Sequence, residues 1–136
     1  MLTSHCLCTR LRRASRAVSH RYDEALADLG LNVAQYSLLR HIERLDRPSI
    51  TGLAEATGLD RSTLGRNLKV LEGADLVTLG EGADLRHRLV ALSETGRQRL
   101  AQALPRWRTA QARVAERLGE DHDTLMRLLA TLERLD

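Results

Sequence analysis

Between Pro48 and Gly96 the hydrophobic pattern changes period several times, and that succession leaves few folds open. The stretch is PSITGLAEATGLDRSTLGRNLKVLEGADLVTLGEGADLRHRLVALSETG. A short helix is expected over about 52–57, capped by Thr51 and ended by Gly58. Asp60 is placed to cap a second helix over roughly 61–73. In it Leu64, Leu68 and Leu71 fall on one side at i, i+4 and i+7. Ser62, Arg66 and Lys69 fall on the opposite side at about 100° per residue. Leu76 to Leu79 and Arg88 to Leu92 then alternate as strands. Gly80 and Gly82 loosen the loop between them, and Arg86, His87 and Arg88 mark its tip. The stretch reads as a helix-turn-helix followed by a two-stranded wing. One polar helix face and one basic loop then share a side of a small domain, as contact with a DNA duplex requires.

The flanks are helical. Leu7, Leu11, Ala14, Val18, Tyr22, Ala25 and Leu29 repeat with heptad spacing, which predicts a long helix over 7–29 stopped by Gly30. Asn32 is placed to cap a helix over roughly 33–45, with Leu38, Leu39, Ile42 and Leu45 inward. Pro48 breaks the chain, and Ser49 and Ile50 suit a short strand. Ser93 is expected to cap a helix over about 94–118, with a stripe of Leu100, Leu104, Trp107, Val114 and Leu118 and a kink at Pro105. Asp121 is expected to cap a last helix carrying Leu125, Leu128, Leu129, Leu132 and Leu135. No repeat or linker divides the chain. The expected fold class is mainly α with a small β-wing, a winged helix-turn-helix of six helices in one domain over 1–136. The terminal stripes exceed what one small winged helix covers. Residues 1–32 and 94–136 are therefore expected to form a dimerisation region, and 33–93 the DNA-binding lobe of a homodimer.

Composition narrows the partners. The chain has 136 residues and a net charge of +3, too modest an excess to establish nucleic-acid binding by itself. Its positive charge is almost all arginine, with Lys69 the sole lysine. Arginine forks onto phosphate or guanine in a way lysine does not. The aromatics Tyr22, Tyr36 and Trp107 are too few for the stacking platforms of single-strand binders. No apolar run nears the ~20 residues of a membrane span and no signal-peptide pattern is present. A cytoplasmic protein without membrane contact is expected. No Ser-His-Asp order, phosphate loop or catalytic carboxylate pair stands out, so neither an enzyme nor a cofactor is expected. Cys6 and Cys8 are too few for a disulfide framework. In a reducing cytosol they are free thiols, metal ligands or redox sensors.

These motifs together resemble the MarR family of transcriptional regulators, over nearly the whole chain. Leu53-Ala54 and Gly58 match the helix-turn-helix, and Ser62-Thr63 the opening of the recognition helix. Leu71, Gly73-Ala74 and Leu76-Val77 match its exit. Asp84-Leu85-Arg86 matches the Asp-x-Arg of the wing, and Leu92-Ser93-Glu94-Thr95-Gly96 the turn into the next helix. Gly80, Gly82 and Ala83 make this wing less charged than usual. The resemblance implies a homodimer on a pseudo-palindromic double-stranded operator, usually as a repressor. Recognition helices would enter successive major grooves and wings the flanking minor grooves. Arg66 would contact a base; Ser62, Thr63, Asn67 and Lys69 would hold phosphates or bases. Arg86, oriented by Asp84 and beside His87, would probe the minor groove.

The first helix resembles the organic-hydroperoxide-sensing (OhrR-type) branch. Cys8 precedes Ser15-Arg16 by seven residues and Tyr22 by fourteen, where that branch places its peroxidatic cysteine and a tyrosine that hydrogen-bonds the thiol. Tyr36 lies near another tyrosine of that pattern. Fourteen helical residues span about 21 Å, so Tyr22 would reach only the Cys8 of a partner subunit. Arg12 and His5 flank Cys8 and favour its thiolate. The branch often carries a tyrosine where Arg12 stands, and no C-terminal cysteine is present, which leaves Cys6 or a small thiol to resolve a sulfenic acid. The reading is release of DNA on oxidation of Cys8 by an organic hydroperoxide. Two alternatives stand beside it: a soft metal at His5, Cys6 and Cys8, and a small phenolic or carboxylate ligand lined by Arg12, Tyr22, Tyr36 and His41. His20, His87 and His122 read as surface residues.

Overall fold

Four of the helices begin where a small polar side chain accepts an otherwise free backbone N–H. A computed structural model of the chain describes residues 5–81 and 87–135. Helix α1 (Leu7–Leu26) runs into a 3-10 turn (Ala27–Leu29) and ends at Gly30, whose φ of 70° is left-handed. Helix α2 (Val33–Leu45) starts from a closed capping box: Asn32 Oδ1 accepts from the Gln35 N–H at 2.8 Å, and Gln35 Oε1 from the Asn32 N–H at 2.9 Å. Asp23 of α1 accepts from the Val33 N–H at 2.8 Å, which ties the two helices at their corner. Helix α3 (Ile50–Thr57) is capped by Ser49, and α4 (Arg61–Gly73) by Asp60. Strands β1 (Val77–Leu79) and β2 (Val90–Leu92) pair antiparallel, with Val77 opposite Leu92. Helix α5 (Glu94–Leu118) starts at Ser93, and a 3-10 turn (Gly119–Asp121) leads into α6 (His122–Leu132).

The element bounds differ from the sequence reading for local reasons. The first helix stops at Leu26 rather than 29, because the chain tightens: Gly30 N–H bonds Ala27 O and Leu31 N–H bonds Leu26 O. The third helix is capped by Ser49, not Thr51. Ser49 has extended backbone and its Oγ accepts from Gly52 N–H at 3.0 Å, which puts Thr51 in the first turn. The strand expected at 49–50 reduces to one bridge, Ser49 with Leu89. Leu76 is drawn out of β1 because its N–H bonds Leu71 O at the exit of α4. Asp121 makes no side-chain cap; its backbone is helical, as part of the turn that carries α5 into α6. Pro105 lies inside α5, which is continuous from Glu94 to Leu118.

One core holds the lobe together. Leu39 and Ile42 of α2, Leu53 of α3, Leu64, Leu68 and Leu71 of α4, and Val77 and Val90 of the strands are fully buried. Leu26, Leu100 and Ala103 join the same cluster, so α1 and α5 are rooted in it. Tyr36 stacks on Trp107 with ring centroids 5.8 Å apart and planes 18° apart, which fixes α2 against α5. Leu45, expected inward, is 44% exposed, because α2 ends there and Asp46 turns left-handed.

Beyond the lobe, α1 packs along α5. Tyr22 donates its hydroxyl to Gln111 Oε1, Arg106 pairs with Asp28, and Arg99 donates to Leu29 O at 2.7 Å. Apolar side chains nonetheless remain on the surface: Leu7, Leu11 and Val18 of α1, and Met126 and Leu128 of α6, which buries none of its residues. Among the described residues no helix is long and apolar enough to cross a membrane.

Gly96 sets how closely α5 approaches the exit of α4. A Cβ there would lie 2.0 Å from the carbonyl oxygen of Leu76, which also accepts the Ser93 N–H at 3.0 Å. Any side chain therefore displaces backbone. Gly96→Ala is expected to cost roughly 1–3 kcal/mol of stability in chemical denaturation. A midpoint unchanged from wild type would contradict this close approach.

Candidate nucleic-acid interface

The exposed face of α4 is organised by one carboxylate. Asp60 Oδ1 accepts from the Thr63 N–H at 2.8 Å and from the Ser62 hydroxyl at 3.1 Å. Asp60 Oδ2 accepts from the Thr63 hydroxyl at 3.0 Å. These bonds, the Thr63 N–H first, hold the Asp60 carboxyl below its ordinary range and keep it ionised. Thr63 Oγ1 in turn faces Arg66 at 3.4 Å, one turn on. Leu64, Leu68 and Leu71 are buried behind this face. Ser62, Arg66 and Lys69 are exposed, as their spacing predicts, while Thr63 and Asn67 are half-buried. Val70, an apolar residue 58% exposed one turn beyond Arg66, lies on the same side and was missed in the sequence reading. Its signal was a β-branched residue off the buried stripe.

The stem of the wing is fastened on both sides. Gly80 N–H bonds Leu89 O at 2.8 Å, and Arg88 donates its Nε–H to Gly80 O at 2.5 Å. On the other side Ile50 N–H bonds Arg88 O and Val90 N–H bonds Pro48 O. The stem is thereby tied to the start of α3 as well as to β1. His87 is exposed. Asp84 and Arg86 lie outside the described residues.

The residues expected to sense an effector do not form one site within the chain. Cys6 and Cys8 are both exposed at the start of α1. Cys6 occupies the N-cap position with extended backbone, and hydrogen bonding to Thr9 lowers its thiol below the usual range. Cys8, Leu11, Arg12, Ser15 and Arg16 line a shallow open groove of about 490 Å³ that contains none of Tyr22, Tyr36 or His41. Tyr22 is buried and bonded to Gln111, Tyr36 is buried against Trp107, and burial raises both phenols. His41 Nδ1 lies 2.7 Å from Ser37 O on its own helix. Within the single chain Tyr22, Tyr36 and His41 thus face Gln111, Trp107 and the Ser37 carbonyl, apart from the groove that Arg12 lines. A larger groove of about 1400 Å³ runs between α1 and α5, with Ala17, Val18, Ala110 and Val114 beside Arg21 and Arg113. Among the described residues no three His, Cys, Asp or Glu side chains converge as a metal site, His5, Cys6 and Cys8 included.

The Asp60 cluster has a pH signature. Its carboxyl titrates lower in the folded chain than the ordinary value of 3.8. Its stabilising effect is thus complete above 3.8 and lost as pH falls through the lowered folded value. Asp60→Ala is expected to melt below wild type at pH 7, with the gap closing in acid below that range. An equal gap at pH 7 and in strong acid would contradict the role given to the carboxylate.

Comparison with known proteins agrees with this architecture. The family model described as MarR family matches residues 29–87. The chain is similar to the M. tuberculosis transcriptional regulator MosR in complex with DNA, at 37% identity and a TM-score of 0.85, over 94% of this chain and 93% of that one. It is similar to the transcriptional repressor CouR bound to a 23-mer DNA duplex, at 30% identity and a TM-score of 0.85, over 98% and 99% of the two chains. CouR bound to p-coumaroyl-CoA gives 28% identity and a TM-score of 0.87 over 100% of both chains. No curated protein matches the sequence. With the exposed α4, the two-stranded wing and these relatives, the chain belongs to the MarR family of winged-helix transcriptional regulators, which are DNA-binding proteins and not enzymes.

Proposed function

We propose that the protein is a homodimeric repressor of a pseudo-palindromic operator, and that oxidation of its N-terminal thiols releases it from DNA. The observation that carries the DNA reading is the polar face of α4, with Ser62, Arg66 and Lys69 exposed over a leucine core. In this reading Thr63 and Asn67 support that face, and Asp84, Arg86 and His87 supply the wing contacts. The unburied apolar residues of α1 and α6 support a dimer built from 1–32 and 94–136, with 33–93 as the DNA-binding lobe. Two such lobes would match half-sites about one helical turn apart.

The redox step uses both cysteines. Both thiols are exposed, and Cys8, in the first turn of α1, stands where the resemblance places the attacking thiol, with Cys6 in the second step. The Cys8 thiolate attacks an oxygen of an organic hydroperoxide, the O–O bond breaks, and the alcohol leaves after taking a proton. The sulfur of Cys6 then attacks the Cys8 sulfenic acid, water leaves, and a disulfide forms. Two electrons pass from the thiols to the peroxide. Cys6 lies at the N-cap and Cys8 inside the first turn of α1, and in this reading closing the bond between them opens that turn. The Arg10 N–H to Cys6 O bond, 3.0 Å long, is then lost. Opening that turn displaces Leu7 and Leu11 from the proposed interface and alters the spacing of the two lobes.

The structure of CouR with p-coumaroyl-CoA favours a second reading, release by an aromatic carboxylate or thioester. Arg12, Tyr22, Tyr36 and His41 would then act through a pocket completed on dimerisation. The two readings separate in one gel-shift series. Under the redox reading, stoichiometric hydroperoxide abolishes wild-type binding, dithiothreitol restores it, and Cys8→Ser stays bound. Sensitivity that survives in Cys8→Ser but not in Cys6→Ser moves the first attack to Cys6. Release of a Cys6→Ser/Cys8→Ser protein by an aromatic thioester without oxidant would instead establish the ligand reading. Arg66→Ala is expected to lose roughly 1–3 kcal/mol of operator affinity, confined to one base position. Equal weakening on all duplexes would make Arg66 a phosphate contact.

A further inference from the structure

The hydrogen bonds at the start of α4 fix which kind of group Ser62 can meet. A hydroxyl has one proton to give. Asp60 is ionised and accepts only, so the Ser62 proton is committed to Asp60 Oδ1 at 3.1 Å and the Thr63 proton to Asp60 Oδ2 at 3.0 Å. Thr63 Oγ1 already accepts from Arg66. Ser62 therefore presents lone pairs outward, from an exposed position in the first turn of α4. A phosphate oxygen offers only lone pairs, and meeting one would cost the bond to Asp60. Guanine O6 and N7 and thymine O4 are acceptors as well. The major-groove edges that donate are the exocyclic amines, N6 of adenine and N4 of cytosine. The first turn of a recognition helix is where side chains reach base edges.

We infer that Ser62 is a specificity-determining acceptor that reads an exocyclic amine of adenine or cytosine, and that Asp60 is the positioning residue that holds its hydroxyl in that role. This rests on the reading of α4 as the DNA-contacting helix. It narrows the expectation that Ser62 holds a phosphate or a base.

The test uses the full-length protein and a duplex selected by the wild type from a random pool. Each adenine of a half-site is replaced in turn by purine, and each cytosine by 2-pyrimidinone, which removes one amine at a time. One substitution is expected to weaken wild-type binding about tenfold, the size of a single lost hydrogen bond of this kind. Ser62→Ala is expected to bind the parent duplex about tenfold more weakly and to lose nothing further at that position. The base at which this occurs identifies adenine or cytosine as the source. The inference is overturned if Ser62→Ala binds like wild type, if it weakens equally on all duplexes, or if every amine deletion costs it as much as wild type. Failure of the wild type to select any duplex would overturn the DNA reading itself, an outcome distinct from these three.

Discussion

The contact between the start of α5 and the exit of α4 is the constraint on which the rest of the molecule depends. Leu76 O receives the Ser93 N–H, Ser93 Oγ caps α5 through the Gly96 N–H at 2.9 Å, and Gly96 leaves no room between helix and carbonyl. Through this one junction the recognition helix, the wing and the longest helix meet. Ser93 also donates its hydroxyl to Asp75 O, so the turn between α4 and β1 is held from the same side. Because protein interiors do not deform smoothly, a rotation of α5 carries α4 with it. Under the proposed function, a signal received on the helical arm has a rigid path to the polar face of α4.

The other end of that path is fastened differently. Arg99 holds the Leu29 carbonyl and Arg106 pairs with Asp28, so α5 grips the 3-10 turn where α1 gives way to α2. The surface pair is weak by itself, since solvent screens it. The Tyr36–Trp107 stack beside it is buried on the α2 side and contributes more to the alignment. The lobe is thus attached to the helical arm by packing, while the corner between α1 and α2 is attached by polar contacts. The opening of the first turn of α1 in the proposed redox step would act on an arm that carries unburied leucines, not on the core.

Much of this was legible in the sequence where a local rule and the tertiary structure agree. Asn32, Asp60 and Ser93 cap the helices they were expected to cap, and Leu64, Leu68 and Leu71 face the core. Gly30 and Gly58 adopt the left-handed conformation at the helix ends they were expected to mark. The misses occur where a distant residue decides. Ser49 rather than Thr51 caps α3 because β2 pairs with the segment before it. Ala103 and Ala110 are buried although neither belonged to the expected stripe, because buried alanine carries little signal in a hydrophobic pattern. Within the chain the Tyr22 hydroxyl donates to Gln111, eighty-nine residues away, a contact that no local pattern contains. The direction of the Ser62 proton follows from hydrogen-bond accounting, which spacing does not contain.

The central claim is that two of these chains act together on one duplex. It is tested most directly by sedimentation equilibrium of the protein with a selected operator, combined with a footprint of the same complex. The account predicts two chains per duplex and two protected half-sites about one helical turn apart. A complex with one chain per duplex, or a single protected segment, would contradict it.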